Sequence, residues 1–308
     1  MVLSVAVVVV LGWLWASSAS RPQRDYFAET PVGPAQFETF ARLYDYESRE
    51  LDAVVERTDT TENWILERVS FAPAYDLQRM VAWLYLPRRV QPPFQAVLCW
   101  PGSLALWQDT LDTSVFGDAF DFFPLSGRAF VLPAFKGTFD RDDYMNPVAG
   151  HPIWPSQVRE LRIQWVKDLR RTLDYLATRP DIDGAKLAYY GWSWGGLMLP
   201  IALAVEPRFK TGISDEGGMT GKRPPAEVDP FHFLPHVQVP VLMLNGRNSS
   251  FFPYEAAQLP MFEFLGTPPE HKRHIRYDAE HYLENSTIAD DMLAWLDTYL
   301  GPVRASSE

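Results

Sequence analysis

The stretch Leu187-Ala188-Tyr189-Tyr190-Gly191-Trp192-Ser193-Trp194-Gly195-Gly196 decides the reading of this chain. Leu187–Tyr190 is an apolar run with strand character, and Leu197–Val205 continues as an apolar helix. Between them Gly-x-Ser-x-Gly marks a strand-to-helix turn too tight for side chains at its glycine positions. Such a turn holds its serine strained and exposed at the carboxyl end of a sheet. The helix that follows aims its amide-rich N-terminus at developing negative charge. Ser193 is therefore the candidate nucleophile, and the Trp194 N–H is one candidate donor to an oxyanion.

The flanking pattern gives the fold class. Trp64–Phe71 and Met80–Leu86 alternate apolar and polar residues across the turn Ala72–Asp76, as an antiparallel strand pair does. Further on, Ala96–Trp100, Ala129–Leu132, Gly212–Ile213 and Val239–Leu244 are short unbroken apolar runs. Runs of this kind suit strands covered on both faces of a parallel sheet. Helical spacing appears over Ser156–Arg179, Glu255–Leu265 and Thr287–Leu300. The expected architecture is the α/β-hydrolase fold: a mostly parallel central sheet, helices on both faces, and an antiparallel N-terminal strand pair. In chain order, residues 1–20 form a hydrophobic signal or membrane-anchor segment, 21–60 a linker with a helix near Ala35–Tyr44, and 61–303 the hydrolase domain.

His281 lies after the strand Arg273–Tyr277 and before the last helix, where the base belongs in the order serine, acid, histidine. The loop Trp100-Pro101-Gly102-Ser103-Leu104 follows the first core parallel strand, so the Ser103 N–H is the second expected oxyanion donor. His232/His236 and His271/His274 lack carboxylates or cysteines at ligand spacing, so no metal is expected, and the chemistry requires no cofactor.

From about Leu51 onward the chain resembles the prolyl-oligopeptidase-type α/β-hydrolase domains, labelled dipeptidyl-aminopeptidase or acylaminoacyl-peptidase homologues and often attached to bacterial serine/threonine kinases. The matching stretches include Pro101-Gly102-Ser103, Ser126-Gly127-Arg128-Ala129, Lys136-Gly137-Thr138, Gln164–Arg171, Tyr190–Gly196, Val241–Arg247 and Leu265–Pro268. The resemblance implies acyl transfer to water from an ester or peptide through a serine nucleophile. It also implies an aspartate two residues after Asn245-Gly246-Arg247, and that position is Ser249. A hydroxyl does not stabilise an imidazolium as a carboxylate does. Asp215, with Glu216 as second choice, ends the preceding strand and is the expected replacement acid, because neighbouring strand ends lie about 5 Å apart and bring it within range of the same imidazole. Asp278 and Glu280 stand too near His281 in sequence for an easy reach.

Composition narrows the partners. The 308 residues carry a net charge of −11 and are 47% hydrophobic, which suits a packed globular domain and argues against nucleic acid. Arg162, Lys167, Arg170 and Arg171 read as the wet face of a helix. A single cysteine, Cys99, excludes an internal disulfide and sits in an apolar run as an inert buried thiol. Val2–Trp15 is nearly all apolar and is followed by small residues and by Arg21 and Arg24, so export or membrane association through residues 2–15 is expected, with a cytoplasmic location as the alternative. The expected partner is a small-molecule ester or short peptide. Trp107, Trp154, Trp192 and Trp194 are candidates for an aromatic pocket, beside His151, with Gly137–Ser156 as its wall. A catalytically impaired relative serving as a binding or sensory module is the other reading open to this sequence, given Ser249.

Overall fold

The computed structural model describes residues 24–113, 119–141 and 155–303. The strands are β1 (Val54–Thr60), β2 (Trp64–Phe71), β3 (Met80–Pro87), β4 (Phe94–Trp100), β5 (Ala129–Pro133), β6 (Ile182–Trp192), β7 (Phe209–Asp215), β8 (Val241–Gly246) and β9 (Lys272–Tyr277). They form one nine-stranded sheet in the order β1-β2-β3-β5-β4-β6-β7-β8-β9. β1, β2, β3 and β5 pair antiparallel in succession, and every pair from β5 through β4 to β9 is parallel.

The main helices are α1 (Pro34–Ala41), α2 (Pro155–Ala177), α3 (Trp194–Val205), α4 (Leu259–Phe264) and α5 (Asn285–Leu300). Two buried layers sandwich the sheet. On one side Leu98, Trp100 and Tyr189 meet Leu169, Leu173 and Leu199 of α2 and α3. On the other, Val97, Cys99, Tyr190 and Leu242 meet Ile288, Met292 and Leu296 of α5. The alternation Val97, Leu98, Cys99, Trp100 between layers is the period-two geometry of a strand buried on both faces. Ile288, Met292, Leu296 and Leu300 recur every four residues and keep α5 in register on the sheet.

The sequence reads residues 21–60 as linker and helix, and the structure differs. β1 pairs with β2 over Val54–Thr60, yet its side chains are almost all exposed. An edge strand held by backbone hydrogen bonds requires no apolar pattern, so periodicity is blind to it. The preceding segment is docked: Tyr26 and Tyr44 are buried, and the Arg24 guanidinium meets Glu29 and Asp229. α1 is shorter than expected, giving way to a 3₁₀ turn at Arg42–Tyr44. The arginines of α2 are not a wet face either. Arg171 is buried and donates to the carbonyls of Ala72, Arg49 and Glu50. Arg170 donates to the Tyr44 carbonyl and Arg162 to that of Val228. These side chains tie the N-terminal segment and a distant loop to the helix.

Among the described residues no helix is long and apolar enough to cross a membrane. Residues 2–15, where membrane association is expected, lie outside the described residues, as do His151, Trp154 and most of the expected wall Gly137–Ser156.

The chain runs from β4 outward to β5, then back through α2 to β6 on the far side of β4. Sites in open α/β sheets lie at the carboxyl ends of strands where the connections diverge in this way. The loop carrying Ser103 and the turn carrying Ser193 both emerge there.

Candidate active site

Ser193 joins β6 to α3 with φ +51° and ψ −97°. A residue with a Cβ in this region is strained by about 1–3 kcal/mol, and it persists only where neighbours hold it. Two backbone bonds do so here: the Ser193 N–H donates to the Asp215 carbonyl at 2.7 Å, and the Gly195 N–H donates to the Pro101 carbonyl at 3.2 Å. The second bond ties the start of α3 to the loop after β4. Ser103 opens a 3₁₀ turn over Ser103–Trp107, and Trp194 opens α3. The first amides of a helix have no intrahelical partner, so both N–H groups are of the kind that receives an oxyanion.

The Ser193 Oγ lies 2.9 Å from Nε2 of His281. His281 is buried, with Phe251 and Tyr282 at ring-centroid distances of 4.5 and 5.4 Å. Burial lowers its pKa to about 4, so the ring is neutral at pH 7 and able to accept a proton at Nε2. Behind it, Glu216 Oε2 stands 3.2 Å from Nδ1. The contact is at ion-pair distance and does not meet hydrogen-bond geometry.

Glu216 is fully buried and has φ +51°. Its N–H donates to the Leu244 carbonyl at 2.8 Å, and its Oε1 accepts the Gly246 N–H at 2.5 Å. Burial raises its pKa to about 8, partly opposed by the Gly246 bond. Asp215, the first choice from the sequence, faces elsewhere. Its Oδ2 accepts the Tyr190 hydroxyl at 2.6 Å, and burial raises its pKa to about 7. The reason is strand alternation: consecutive side chains leave opposite faces of the sheet. Asp215 thus enters the layer of Tyr190 and Cys99, and the carboxylate beside His281 is that of Glu216.

Ser249, at the position where the resemblance implies an aspartate, is buried with its Oγ 3.4 Å from His281 Nδ1. The end of β8 holds the site together through Gly246. A Cβ there would lie 1.8 Å from the Glu280 carbonyl oxygen, so only glycine lets the His281 loop close onto the strand. The Arg247 and Asn248 N–H groups clip the same loop through the carbonyls of Tyr277 and Ala279. The sequence places Asn245-Gly246-Arg247 before the acid loop but gives no role to Asn245, Gly246 or Tyr190 themselves.

Of the tryptophans proposed for a pocket, Trp194 is core, packed against Trp100 and Trp165. Trp192 is half-buried and stacks above Gly102, while Trp107 is partly exposed beside the Ser103 turn. Among the described residues no three His, Cys, Asp or Glu side chains cluster to hold a metal. His274 instead bonds Asn245, and His271 bonds Tyr299. Burial pushes the Cys99 thiol pKa up, which leaves it unreactive.

Residues 157–221, which include the nucleophile turn and Glu216, match the family model of the prolyl oligopeptidase family. The chain matches none of the curated protein sequences. Solved structures share the fold over most of the chain. An acetyl xylan esterase from Paenibacillus sp. R4 superposes with a TM-score of 0.66 at 18% identity, covering 86% of this chain and 94% of that one. Acetyl xylan esterase 1 from a Thermoanaerobacterium species gives 0.68 at 14% identity, with 88% and 96% covered. A glucuronoyl esterase from Solibacter usitatus gives 0.61 at 14% identity, with 86% and 92% covered. The expected α/β-hydrolase fold is thereby established.

Proposed function

We propose that this α/β-hydrolase is a serine esterase whose triad is Ser193, His281 and Glu216. The observation that carries the reading is the placement of Ser193 Oγ 2.9 Å from one nitrogen of the His281 ring and of Glu216 Oε2 3.2 Å from the other. The structural neighbours, which are esterases, support an ester over a peptide, and the prolyl-oligopeptidase segment keeps a peptide as the second class of substrate.

In the proposed cycle His281 Nε2 takes the Ser193 proton as Oγ bonds to the acyl carbon. The carbonyl oxygen becomes an oxyanion, received by the N–H groups of Trp194 and Ser103. His281 then gives its proton to the departing alcohol as the acyl–oxygen bond breaks, leaving an acyl group on Ser193. Water, deprotonated by the same nitrogen, attacks the acyl carbon, and the proton returns to Ser193 as the acid leaves. Ionised Glu216 stabilises the imidazolium formed in each half and fixes the tautomer that leaves Nε2 free to accept.

A fluorophosphonate probe tests this directly. Labelling of the folded protein that disappears in Ser193→Ala, together with p-nitrophenyl acetate hydrolysis, is the expected result. Folded protein that neither labels nor hydrolyses would favour the alternative of a binding module that keeps the scaffold alone.

A further inference from the structure

We infer that Asn245 is the positioning residue that locks the acid loop, with His274 orienting its amide. The inference rests on the reading of Glu216 as the triad carboxylate.

Glu216 has no rigid element of its own. It lies one residue beyond β7, in a left-handed backbone conformation that its side chain disfavours. The next residue, Gly217, is wedged against α3: a Cβ on Gly196 would lie 2.5 Å from the Gly217 Cα. The loop therefore leaves the sheet beside the nucleophile helix, and its last backbone bond to β8 is the one from the Glu216 N–H to the Leu244 carbonyl. Its carbonyl at Gly217 is held by a side chain instead. Asn245 Nδ2 donates to it at 2.9 Å from the neighbouring strand.

The other end of that amide is fixed as well. Asn245 Oδ1 accepts from His274 Nε2 on β9 at 3.0 Å. This bond makes Oδ1 the acceptor and turns Nδ2 towards Gly217, so the amide has one orientation. Asn245 is fully buried, and His274 packs between Phe262 and Tyr254. The chain His274–Asn245–Gly217 thus runs from β9 through β8 to the loop after β7 and ends on the Gly217–Gly218 peptide group, one residue past Glu216. The Gly246 N–H, one residue further, binds the carboxylate itself. The acid's own N–H, the carbonyl of the residue after it and its carboxylate are consequently anchored to Leu244, Asn245 and Gly246, consecutive residues of β8. The charged and titratable groups facing this chain are Glu216, with His281, Asp215 and Glu280 around it, and His274, with Arg276 beside Tyr254 at the outer end.

The test is a double-mutant cycle on p-nitrophenyl acetate. Asn245→Asp still accepts from His274 but loses the donor to Gly217. It is expected to lower kcat at least tenfold with KM changed less than twofold, and to move the acid limb of the pH profile upward. In a Glu216→Gln background the same substitution is expected to cost less than twofold, because the group it positions is already gone. His274→Phe keeps the ring packing and frees the amide. It is expected to reproduce the effect more weakly, and it reads the same cycle if Asn245→Asp does not fold by circular dichroism. Equal losses in both backgrounds would overturn the positioning role. A Glu216→Gln variant that keeps more than a tenth of its activity would overturn the acid assignment instead.

Discussion

The Ser249 hydroxyl oxygen lies 3.4 Å from His281 Nδ1, the nitrogen that Glu216 Oε2 approaches to 3.2 Å. Two strand ends, those of β7 and β8, therefore reach one ring atom, and the carboxylate occupies one of them. An acid moved from Glu216 to position 249 is expected to work. Glu216→Gln should lower kcat by about 10⁴-fold, the cost of losing the acid in a serine protease. Adding Ser249→Asp should recover at least tenfold of it, because the aspartate extends its oxygens about one bond beyond the serine hydroxyl. Steady-state kinetics of the single and double variants check this; no recovery would mean that the β8 position no longer has the geometry for an acid.

The pH profile should be set by Glu216. His281, with its pKa lowered to about 4 by burial, is already neutral through the acidic range. Glu216, raised to about 8 by the same cause, must lose its proton before it stabilises an imidazolium. kcat/KM is therefore expected to rise through neutrality and reach half its maximum near pH 8. A half-maximum at pH 6.5 or below would show the carboxylate to be ionised far more readily than its burial implies.

Stability should run the other way. Folded Glu216 keeps its proton up to about pH 8, whereas the unfolded side chain releases it near 4.5. Between these values the folded state binds more protons, so stability is lost as pH rises through the window. Asp215, raised to about 7, contributes in the same direction. Glu216→Gln removes one of the two contributions. Its Tm relative to the unmodified chain should increase as pH is taken from about 5 to about 9, while its activity is lost. Thermal melts across that range check the sign.

How much of this was legible in the sequence follows from which forces leave a local signature. The turn around Ser193 declares itself because sterics demand glycines beside it, and strands such as Ala96–Trp100 do so because burial on both faces excludes polar residues. His281 follows from chain order. The choice between Asp215 and Glu216 was not available from composition, because it depends on which face of β7 each side chain leaves and where the strand stops. β1 was missed because an exposed edge strand is held by backbone bonds. Arg162, Arg170 and Arg171 were misread because a surface helix and one clamped by a returning chain carry the same charges.

That returning chain supplies the last prediction. Arg24 is buried and donates to Glu29, to Asp229 at 2.7 Å and to the Lys222 carbonyl at 3.1 Å, with its guanidinium over the ring of Tyr26. Asp229 is buried too and caps the 3₁₀ turn at Pro230–His232. Arg24→Met keeps the apolar stem and removes the charge, leaving Asp229 buried without its cation. Breaking a buried pair from one side costs about 3–5 kcal/mol, so urea denaturation should show a loss of that size. None of these partners belongs to the group around Ser193, His281 and Glu216, so kcat should be unchanged below the melting transition. A variant with unaltered stability would mean that the segment before β1 rests on the domain without holding it. A stable variant with lowered kcat would mean that the loop at Thr220–Asp229 transmits strain to the acid loop from which it continues.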